Sequence, residues 1–337
     1  MAIQRQSNIE LCRIVSILLV MLVHTTFATF GWETQSLGIQ TLAAFSIIGV
    51  NVFVLITGYF SVKLKWTTLV NIAFICFFWM LVKNVGRFLV GETISISALF
   101  FITKSNWFIP CYIGLLFLSP LLNLFSDKAN KKTLLGGAFS LLLIEVWFDW
   151  LPPTPGLSIG TQGGCSVLSF AILYLVARYI KLYGIPAWFK KSSLIIYILC
   201  SLSLVVLNVI SIKIGHPLPK LVFTYNNPIV ILSSVAFLMM FEQVNFSSKS
   251  INHIAKSTLA VLLGHTALFF LYTKQFSYIY DNYSGLQVVA YWALAIFVVF
   301  CTSVVIDQIR ILLYKPIEKW MQTRIKNNVF FPIDNKS

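Results

Sequence analysis

Arg13 and His24 are two polar residues that lie eleven positions apart in the first apolar run of the chain. At 100° per residue, eleven residues bring both side chains to within about 20° of each other on one helix face, roughly 16 Å apart along the axis. The Arg13 guanidinium near one membrane surface could bind the phosphate groups of a cosubstrate. The His24 imidazole, deeper in the membrane, could then act on the far end of that cosubstrate. The alternatives are that Arg13 reaches lipid headgroups and that His24 only bonds a neighbouring helix.

Other residues could also take part in group transfer. Imidazole titrates near neutrality and suits a general base, so His265, near the middle of a later apolar run, is a second catalytic candidate. An interhelical hydrogen bond would explain His265 equally well. Ser16 and Ser257 are possible nucleophiles, but neither has a base evident from the sequence, and there is no G-x-S-x-G elbow, which favours direct transfer. His216 and His253 are expected in solvated loops.

The basic residues nearest to these candidates are Lys63 and Lys65, which follow the second apolar run. Ordinary loop charges are the commoner explanation, but at the same membrane face as Arg13 they could bind phosphate groups. Glu10 has the spacing of a capping box with Ser7, which predicts a helix start there, and it could also pair with Arg13 at i,i+3.

The remaining polar residues within apolar runs are better explained by structure. Asp307 and Arg310 have i,i+3 spacing and are predicted to form an ion pair. Asn51 is predicted to pack between helices. The six cysteines form no CxxC motif and have no metal-ligand spacing with a histidine, so neither a disulfide nor a metal site is expected.

The whole chain has the composition of an integral membrane protein. Of its 337 residues, 58% are hydrophobic and only 11% are charged, against about 25% charged in a soluble domain. This excludes a cytosolic globular enzyme, a disordered chain and a fibrous repeat. The net charge of +14 would indicate nucleic-acid binding in a soluble protein, but in a membrane protein cytoplasmic loop charge explains it. No nucleic-acid partner is therefore expected.

Ten apolar runs reach the roughly 17–25 residues that a helix needs to cross a bilayer. They cover residues 9–29, 41–61, 67–88, 106–125, 133–150, 164–182, 193–213, 226–243, 256–273 and 287–310. We therefore predict an all-α fold, a polytopic membrane helix bundle of about ten transmembrane helices that forms a single domain over residues 1–337.

Lysine and arginine are distributed unequally between the two sides of this bundle. An even number of spans puts both termini on one side, and 19 of the 25 Lys and Arg residues fall there. The positive-inside rule then predicts that both termini are cytoplasmic. We expect a multi-pass protein of the inner (plasma) membrane.

The spacing of Arg13 and His24 resembles the R-x10-H signature of the acyltransferase 3 family of membrane acyltransferases. Further segments resemble the family in the same order along the chain. They are GVNVFVLITGYF at 49–60, WFI at 107–109, LSPLLN at 118–123, the stretch from GG at 163–164 to RYI at 178–180, YNNP at 225–228 and STLAVLLGH at 257–265.

This resemblance implies a ten-helix bundle, a cytosolic acyl-CoA donor and a carbohydrate acceptor, most similar to the O-acetyltransferases of surface polysaccharides. His24 and His265 are then expected in catalysis, and Arg13, Lys63 and Lys65 at the acyl-CoA. Acetyl-CoA is a cosubstrate, and no permanently bound cofactor is expected. The acceptor is expected to be a surface polysaccharide or a lipid-linked oligosaccharide.

Two elements depart from the family pattern. Where the family often has an arginine-rich stretch at the start of the third helix, only Lys63 and Lys65 are present. In the Y-L-I-H element, Leu262 replaces the tyrosine and Gly264 replaces the isoleucine.

A transporter or a flippase of a lipid-linked sugar is the main alternative, because such proteins also have ten or more spans with charges inside the membrane. Against it, the hydropathy shows no inverted repeat and no matching pair of interrupted helices. A polysaccharide polymerase is a third alternative, but it usually has a large external loop, whereas the longest outer segments here have around twenty residues.

Overall fold

The computed structural model describes residues 5–31, 36–91, 106–150, 162–214 and 222–325. This part of the chain is all-α and contains no strand. Its helices are α1 (Ser7–Phe30), α2 (Leu37–Ser46), α3 (Gly49–Tyr59), α4 (Trp66–Leu89), α5 (Phe108–Lys128), α6 (Lys131–Trp150), α7 (Val167–Tyr183), α8 (Ala187–Lys191), α9 (Ser193–Lys213), α10 (Pro228–Glu242), α11 (Lys249–Ile254), α12 (Thr258–Ala267), α13 (Phe269–Asn282) and α14 (Leu286–Arg324).

Each of the ten predicted apolar runs coincides with a helix or with two consecutive helices. Six helical segments among the described residues are long and apolar enough to cross a membrane, and a bent pair makes a seventh if it counts as one span. The six are Ser7–Phe27, Leu37–Tyr59, Trp66–Leu89, Phe108–Lys128, Ser193–Lys213 and Leu286–Arg324. The fold is a helical membrane bundle, whereas ten crossings and cytoplasmic termini stay predictions.

Helix α3 lies at the centre of the bundle. The span Leu37–Tyr59, which contains it, is 83% buried, whereas three of the other spans are only 28% buried. Two glycines allow this close packing. A Cβ atom on Gly49 would lie 2.6 Å from the carbonyl oxygen of Ser16 in α1, and one on Gly58 would lie 2.6 Å from that of Tyr174 in α7. Small residues at helix contacts are typical of membrane bundles.

Contacts at the two ends of the bundle show that α10 and α14 run antiparallel to α1. At the end that holds the start of α1, here called the amino-terminal end, Asn8 donates to the carbonyl of Phe241 in the last turn of α10 (3.1 Å). At the opposite end, the indole of Trp292 near the start of α14 donates to Thr25 near the end of α1 (3.0 Å). The bundle therefore has two distinct faces.

The start of α1 is partly as predicted. The helix begins at Ser7, but Gln6 is the N-cap and no side chain caps the helix, so the predicted capping box is wrong. The hydroxyl of Ser7 instead accepts a hydrogen bond from the backbone N–H of Ser248 (2.9 Å). Glu10 binds Arg13. The Ser7 hydroxyl therefore binds the backbone of Ser248 in place of the helix N-terminus.

The run predicted at 256–273 is broken rather than straight. Segments Lys249–Ala267 and Leu271–Asn282 meet at an angle of 76°. The hydroxyl of Tyr272 donates to the carbonyl oxygen of His265, which a continuous helix would use for its own backbone. The break therefore follows His265 by two residues.

Candidate active site

His24 of α1 and His265 of α12 are in direct contact. The Nδ1 atom of His24 lies 2.8 Å from the Nε2 atom of His265, and the two rings are stacked with their centroids 5.0 Å apart. His265 is completely buried. The fold thus brings together two histidines that the sequence places on separate apolar runs.

The hydrogen bonds around this pair determine where its protons are. The Nδ1 atom of His265 lies 2.9 Å from the carbonyl oxygen of Val261, and because a carbonyl can only accept, this nitrogen carries the proton. In a neutral ring Nε2 of His265 is then an acceptor, so Nδ1–H of His24 donates to it. The Nε2 atom of His24 keeps its lone pair and can accept a proton.

His24 lines a cavity of about 340 Å³ that lies between α1, α3, α5 and α12. Its polar lining consists of His24, Asn106 and Thr266, and its other lining residues are Val20, Val50, Trp107, Phe108 and Leu262. Cavities of about 300–1,000 Å³ that are mostly apolar and have a few convergent polar groups are typical of small-molecule sites. The geometry is that of a small-molecule cavity with an imidazole in its wall.

Trp107 and Asn106 form the part of this wall nearest the start of α5. The Trp107 ring packs on Tyr225 with 5.4 Å between centroids, and Asn51 donates to the Tyr225 carbonyl (2.7 Å). Asn51 therefore has the packing role that was predicted. The Oδ1 atom of Asn106 accepts from the backbone N–H of Phe108 (2.9 Å), and its amide nitrogen forms no hydrogen bond with a described residue.

Arg13 lies on α1 eleven residues before His24, nearer the amino-terminal end. Its guanidinium is 2.8 Å from a carboxylate oxygen of Glu10 and lies 5.9 Å from the centroid of the Phe53 ring. Phe53 is one turn along α3 from Val50, which lines the His24 cavity. Arg13 and His24 thus both face α3, as the common helix face predicted, but the guanidinium is already paired with one carboxylate.

Lys63 and Lys65 lie between α3 and α4, toward the amino-terminal end. Both are exposed, and neither forms an ion pair with a described residue. Asn123 holds the backbone beside them by donating to the carbonyl of Val62 (3.0 Å), and Asn123 itself accepts from the hydroxyl of Tyr174 (2.6 Å). The two lysines therefore extend from an anchored segment into solvent.

Neither candidate serine has a base beside it. Ser16 donates to a carbonyl of its own helix (2.7 Å), and Ser257 accepts from the amide of Gln308 (3.2 Å). In the described part of the chain, no histidine or carboxylate hydrogen-bonds to either hydroxyl. His253 is exposed, as predicted, but it lies in helix α11 and not in a loop. His216 lies outside the described residues.

The predicted pair of Asp307 and Arg310 is confirmed. Both residues are buried, and the guanidinium binds both carboxylate oxygens, at 2.6 and 3.0 Å. Its third nitrogen donates to Asn71 of α4 (3.0 Å). This ion pair joins α14 to α4 and is distant in sequence from both histidines.

The sequence reasoning missed two carboxylates on α6, Glu145 and Asp149. Glu145 is completely buried and accepts from the hydroxyl of Ser169. Asp149 accepts from the backbone N–H of Gly163 (2.9 Å) and from the amide of Asn226 (2.6 Å), and so fixes the segment beside Tyr225. Their i,i+4 spacing within the predicted run 133–150 was the available signal, because carboxylates inside membrane spans are costly and usually have a role.

A family model described as an acyltransferase domain matches residues 6–308. The chain belongs to the acyltransferase 3 family. A comparison with curated proteins gave no match, and a comparison with solved structures gave none either. The matched region contains all five candidate site residues, which are Arg13, His24, Lys63, Lys65 and His265. This acyltransferase has the apolar helices of a multi-pass membrane protein.

The structure accounts for one departure of this acyltransferase from the family pattern. A Cβ atom on Gly264 would lie 2.7 Å from the Cη2 atom of Trp79 in α4, a distance that real Cβ atoms essentially never show. The indole ring therefore occupies the space that the isoleucine side chain of the family pattern would need. Gly264 and Trp79 fit each other next to His265.

Proposed function

We propose that this acyltransferase transfers an acetyl group from cytosolic acetyl-CoA to a hydroxyl group of a surface polysaccharide or a lipid-linked saccharide. The observation that carries the proposal is the hydrogen-bonded series from Val261 through His265 to His24. It leaves one nitrogen of His24 available as a base, and His24 lines the cavity.

This arrangement supports direct transfer. The Nε2 atom of His24 takes the proton of the acceptor hydroxyl while that oxygen attacks the carbonyl carbon of the thioester. The carbon–sulfur bond then breaks, and the imidazolium returns the proton to the leaving thiolate. The products are an O-acetyl ester and free CoA. His265 keeps its own proton and acts by orienting His24, so His24 is the catalytic residue and His265 a positioning residue.

The donor site is proposed at the amino-terminal end, which the predicted topology places in the cytosol. Eleven residues of helix place Arg13 about 16 Å from His24, so a CoA with its nucleotide phosphates near Arg13 would extend toward His24. Arginine suits phosphate because its planar fork offers several fixed donors. Lys63 and Lys65 are proposed as weaker, flexible contacts at the same end.

The acceptor site is proposed in the cavity of about 340 Å³ beside His24. An aromatic ring and an amide donor, from Trp107 and Asn106, are groups that can orient a polar ring-shaped ligand within a mostly apolar site. The cavity lies toward the opposite end of the bundle from Arg13. Donor and acceptor would therefore reach His24 from opposite faces of the membrane.

The test is the release of thiol from acetyl-CoA by proteoliposomes that contain the purified protein and a membrane lipid extract as acceptor. We expect release that depends on the extract and is lost in His24→Ala, with an O-acetyl signal in the NMR spectrum of the recovered saccharide. A transporter or flippase would instead move the saccharide between leaflets without releasing thiol, and that result would overturn the proposal.

A further inference from the structure

Cys111, in the first turn of α5, is in direct contact with Cys165, which lies just before α7. The thiol of Cys111 donates to the carbonyl oxygen of Cys165, with 3.5 Å between sulfur and oxygen, and both thiols are free in the structure. The two elements pack closely beside this contact, because a Cβ atom on Gly114 would lie 2.6 Å from a methyl carbon of Val167. The Cys111 sulfur therefore already lies against the backbone of the second cysteine.

Both cysteines lie at the end of the bundle opposite to the amino-terminal end. Asn123, near the end of α5, donates to the carbonyl of Val62 (3.0 Å) in the segment that lies toward the amino-terminal end, so α5 starts at the opposite end. Arg178, near the end of α7, is 2.6 Å from a carboxylate oxygen of Asp127 at the end of α5. Helix α7 therefore runs parallel to α5 and starts at the same end. The predicted topology places that end outside the cell, where disulfide bonds form and persist.

The contact also completes a ring of packed residues in the wall of the candidate active-site cavity. Trp107, which lines the cavity, is four residues before Cys111 and so lies on the same side of α5. Its ring packs on Tyr225 with 5.4 Å between centroids. A Cβ atom on Gly164 would lie 2.7 Å from the Cβ atom of Tyr225. Gly164 directly precedes Cys165, so a bond to Cys111 would fasten this segment to the helix that carries Trp107.

We infer that Cys111 and Cys165 form an intramolecular disulfide bond in the membrane, which joins α5 to the segment before α7 beside the cavity. Spacing in the sequence predicted no disulfide, because the two cysteines are 54 residues apart and form no CxxC motif. The fold removes that separation. The inference depends on the predicted orientation and not on acyl transfer.

The oxidant that this bond requires is a thiol oxidase that carries a reactive disulfide. Cys165 is partly exposed and Cys111 is buried, so the Cys165 thiolate attacks the disulfide of the oxidase and releases its first thiolate. The Cys111 thiolate then attacks the Cys165 sulfur of the mixed disulfide and releases the second thiolate. One S–S bond forms in the acyltransferase and one breaks in the oxidase, which takes up two electrons and two protons.

The test is the state of these thiols in the full-length protein from intact cells. N-ethylmaleimide is added to the cells and kept present during denaturation and digestion without reductant, and the peptides are identified by mass spectrometry. We expect Cys111 and Cys165 in one pair of linked peptides, lighter by two hydrogen atoms than the two free peptides together. Recovery of both as alkylated thiols, or a bond from either to another cysteine, would overturn the inference.

Variants separate this pair from the other cysteines. Cys111→Ser and Cys165→Ser should each leave the remaining member of the pair as an alkylated thiol. The hydroxyl in Cys111→Ser can still donate to the carbonyl of Cys165, so the contact is kept and only the bond is lost. Cys200→Ser, at another partly exposed cysteine, is the matched control and should keep the linked peptides. Loss of the link in Cys200→Ser would refute the assignment.

The bond should also stabilise the fold, because it closes a long loop in the unfolded chain. We expect dithiothreitol to lower the apparent melting temperature of the wild-type protein and of Cys200→Ser by at least about 2 °C, and to leave that of Cys165→Ser unchanged. An equal effect on all three proteins would contradict the inference. Neither measurement contains acetyl-CoA or a saccharide, so each proposal can fail without the other.

Discussion

The Nδ1 atom of His24 and the Nε2 atom of His265 lie 2.8 Å apart, and this contact makes the two histidines chemically unequal. His265 is held on its other side by the Val261 carbonyl, so it has no nitrogen left for a substrate. His24 has one. The same two residue types thus have different roles because of their neighbours, and mutations should separate them.

Replacing His24 should remove the base. We expect His24→Ala to lower kcat for acetyl transfer by about 10² to 10⁴, with normal amounts of protein in the membrane. The measurement is the O-acetyl signal in the NMR spectrum of the saccharide, and His253→Ala, at an exposed histidine, is the control. Persistent acetylation in His24→Ala would exclude His24 from the mechanism.

Replacing His265 should misorient the base without removing it. We expect His265→Leu to lower kcat by about 2- to 13-fold, the value of one hydrogen bond, with the KM for acetyl-CoA unchanged. His265→Gln retains an acceptor for the proton on His24 and should recover part of the loss. If His265→Gln and His265→Leu were equally impaired and less stable, His265 would have only a packing role.

The donor site is tested by the KM for acetyl-CoA. Arg13→Ala should raise it about 10- to 150-fold, because a charge-assisted contact is worth about 1.5–3 kcal/mol. Arg13→Lys should recover part of the loss, and Lys63→Ala and Lys65→Ala should have smaller effects because exposed charges contribute less. Lys128→Ala, at another exposed lysine, is the control. An unchanged KM with less inserted protein would make Arg13 a topology anchor.

The predicted topology is tested with reporter fusions. A reporter fused after Lys131 should be cytoplasmic, and one fused after Thr154, which lies outside the described residues, should be on the outer side. The reason is the excess of Lys and Arg on the side of the termini. Reversed labelling at both positions would refute the orientation, and the same label at both would refute a crossing by α6.

The ion pair of Asp307 with Arg310 should matter for stability rather than for chemistry. Asp307→Asn would leave a buried guanidinium without its counter-charge, and we expect the free energy of unfolding in mixed micelles to fall by about 3–5 kcal/mol. Lys190→Ala breaks the partly exposed pair with Glu242 and should cost no more than about 1 kcal/mol. Equal losses for the two variants would contradict this assignment.

The helices could be predicted from the sequence because a segment that crosses the hydrocarbon core of a bilayer must be long and apolar and must hydrogen-bond its own backbone groups. The shared face of Arg13 and His24 follows from helix geometry, and the structure agrees with it. Helix α1 does begin at Ser7, but the capping box from which this start was predicted is absent. The break after His265 could not be predicted in this way. It depends on the hydroxyl of Tyr272, and nothing in the apolar pattern distinguishes that tyrosine from others.

The candidate site was predictable in its residue types but not in its assembly. His24 and His265 stood out because polar residues inside membrane spans are rare. Their contact depends on how α1 packs on α12, which no local spacing determines. Asn106 and Trp107 line the same cavity. Trp107 belongs to the WFI stretch that resembles the family, but nothing in the sequence placed either residue beside His24.

The large sequence separation of His24 and His265 also has a consequence during synthesis of the chain. The two residues are 241 positions apart, and ribosomes add roughly 5–20 residues per second. At that rate about 12–48 seconds pass between the synthesis of His24 and that of His265. During this interval α1 is in the membrane with an imidazole that has no partner from α12. A chain that is truncated before α12 would therefore contain the R-x10-H motif and still lack the contact that orients His24.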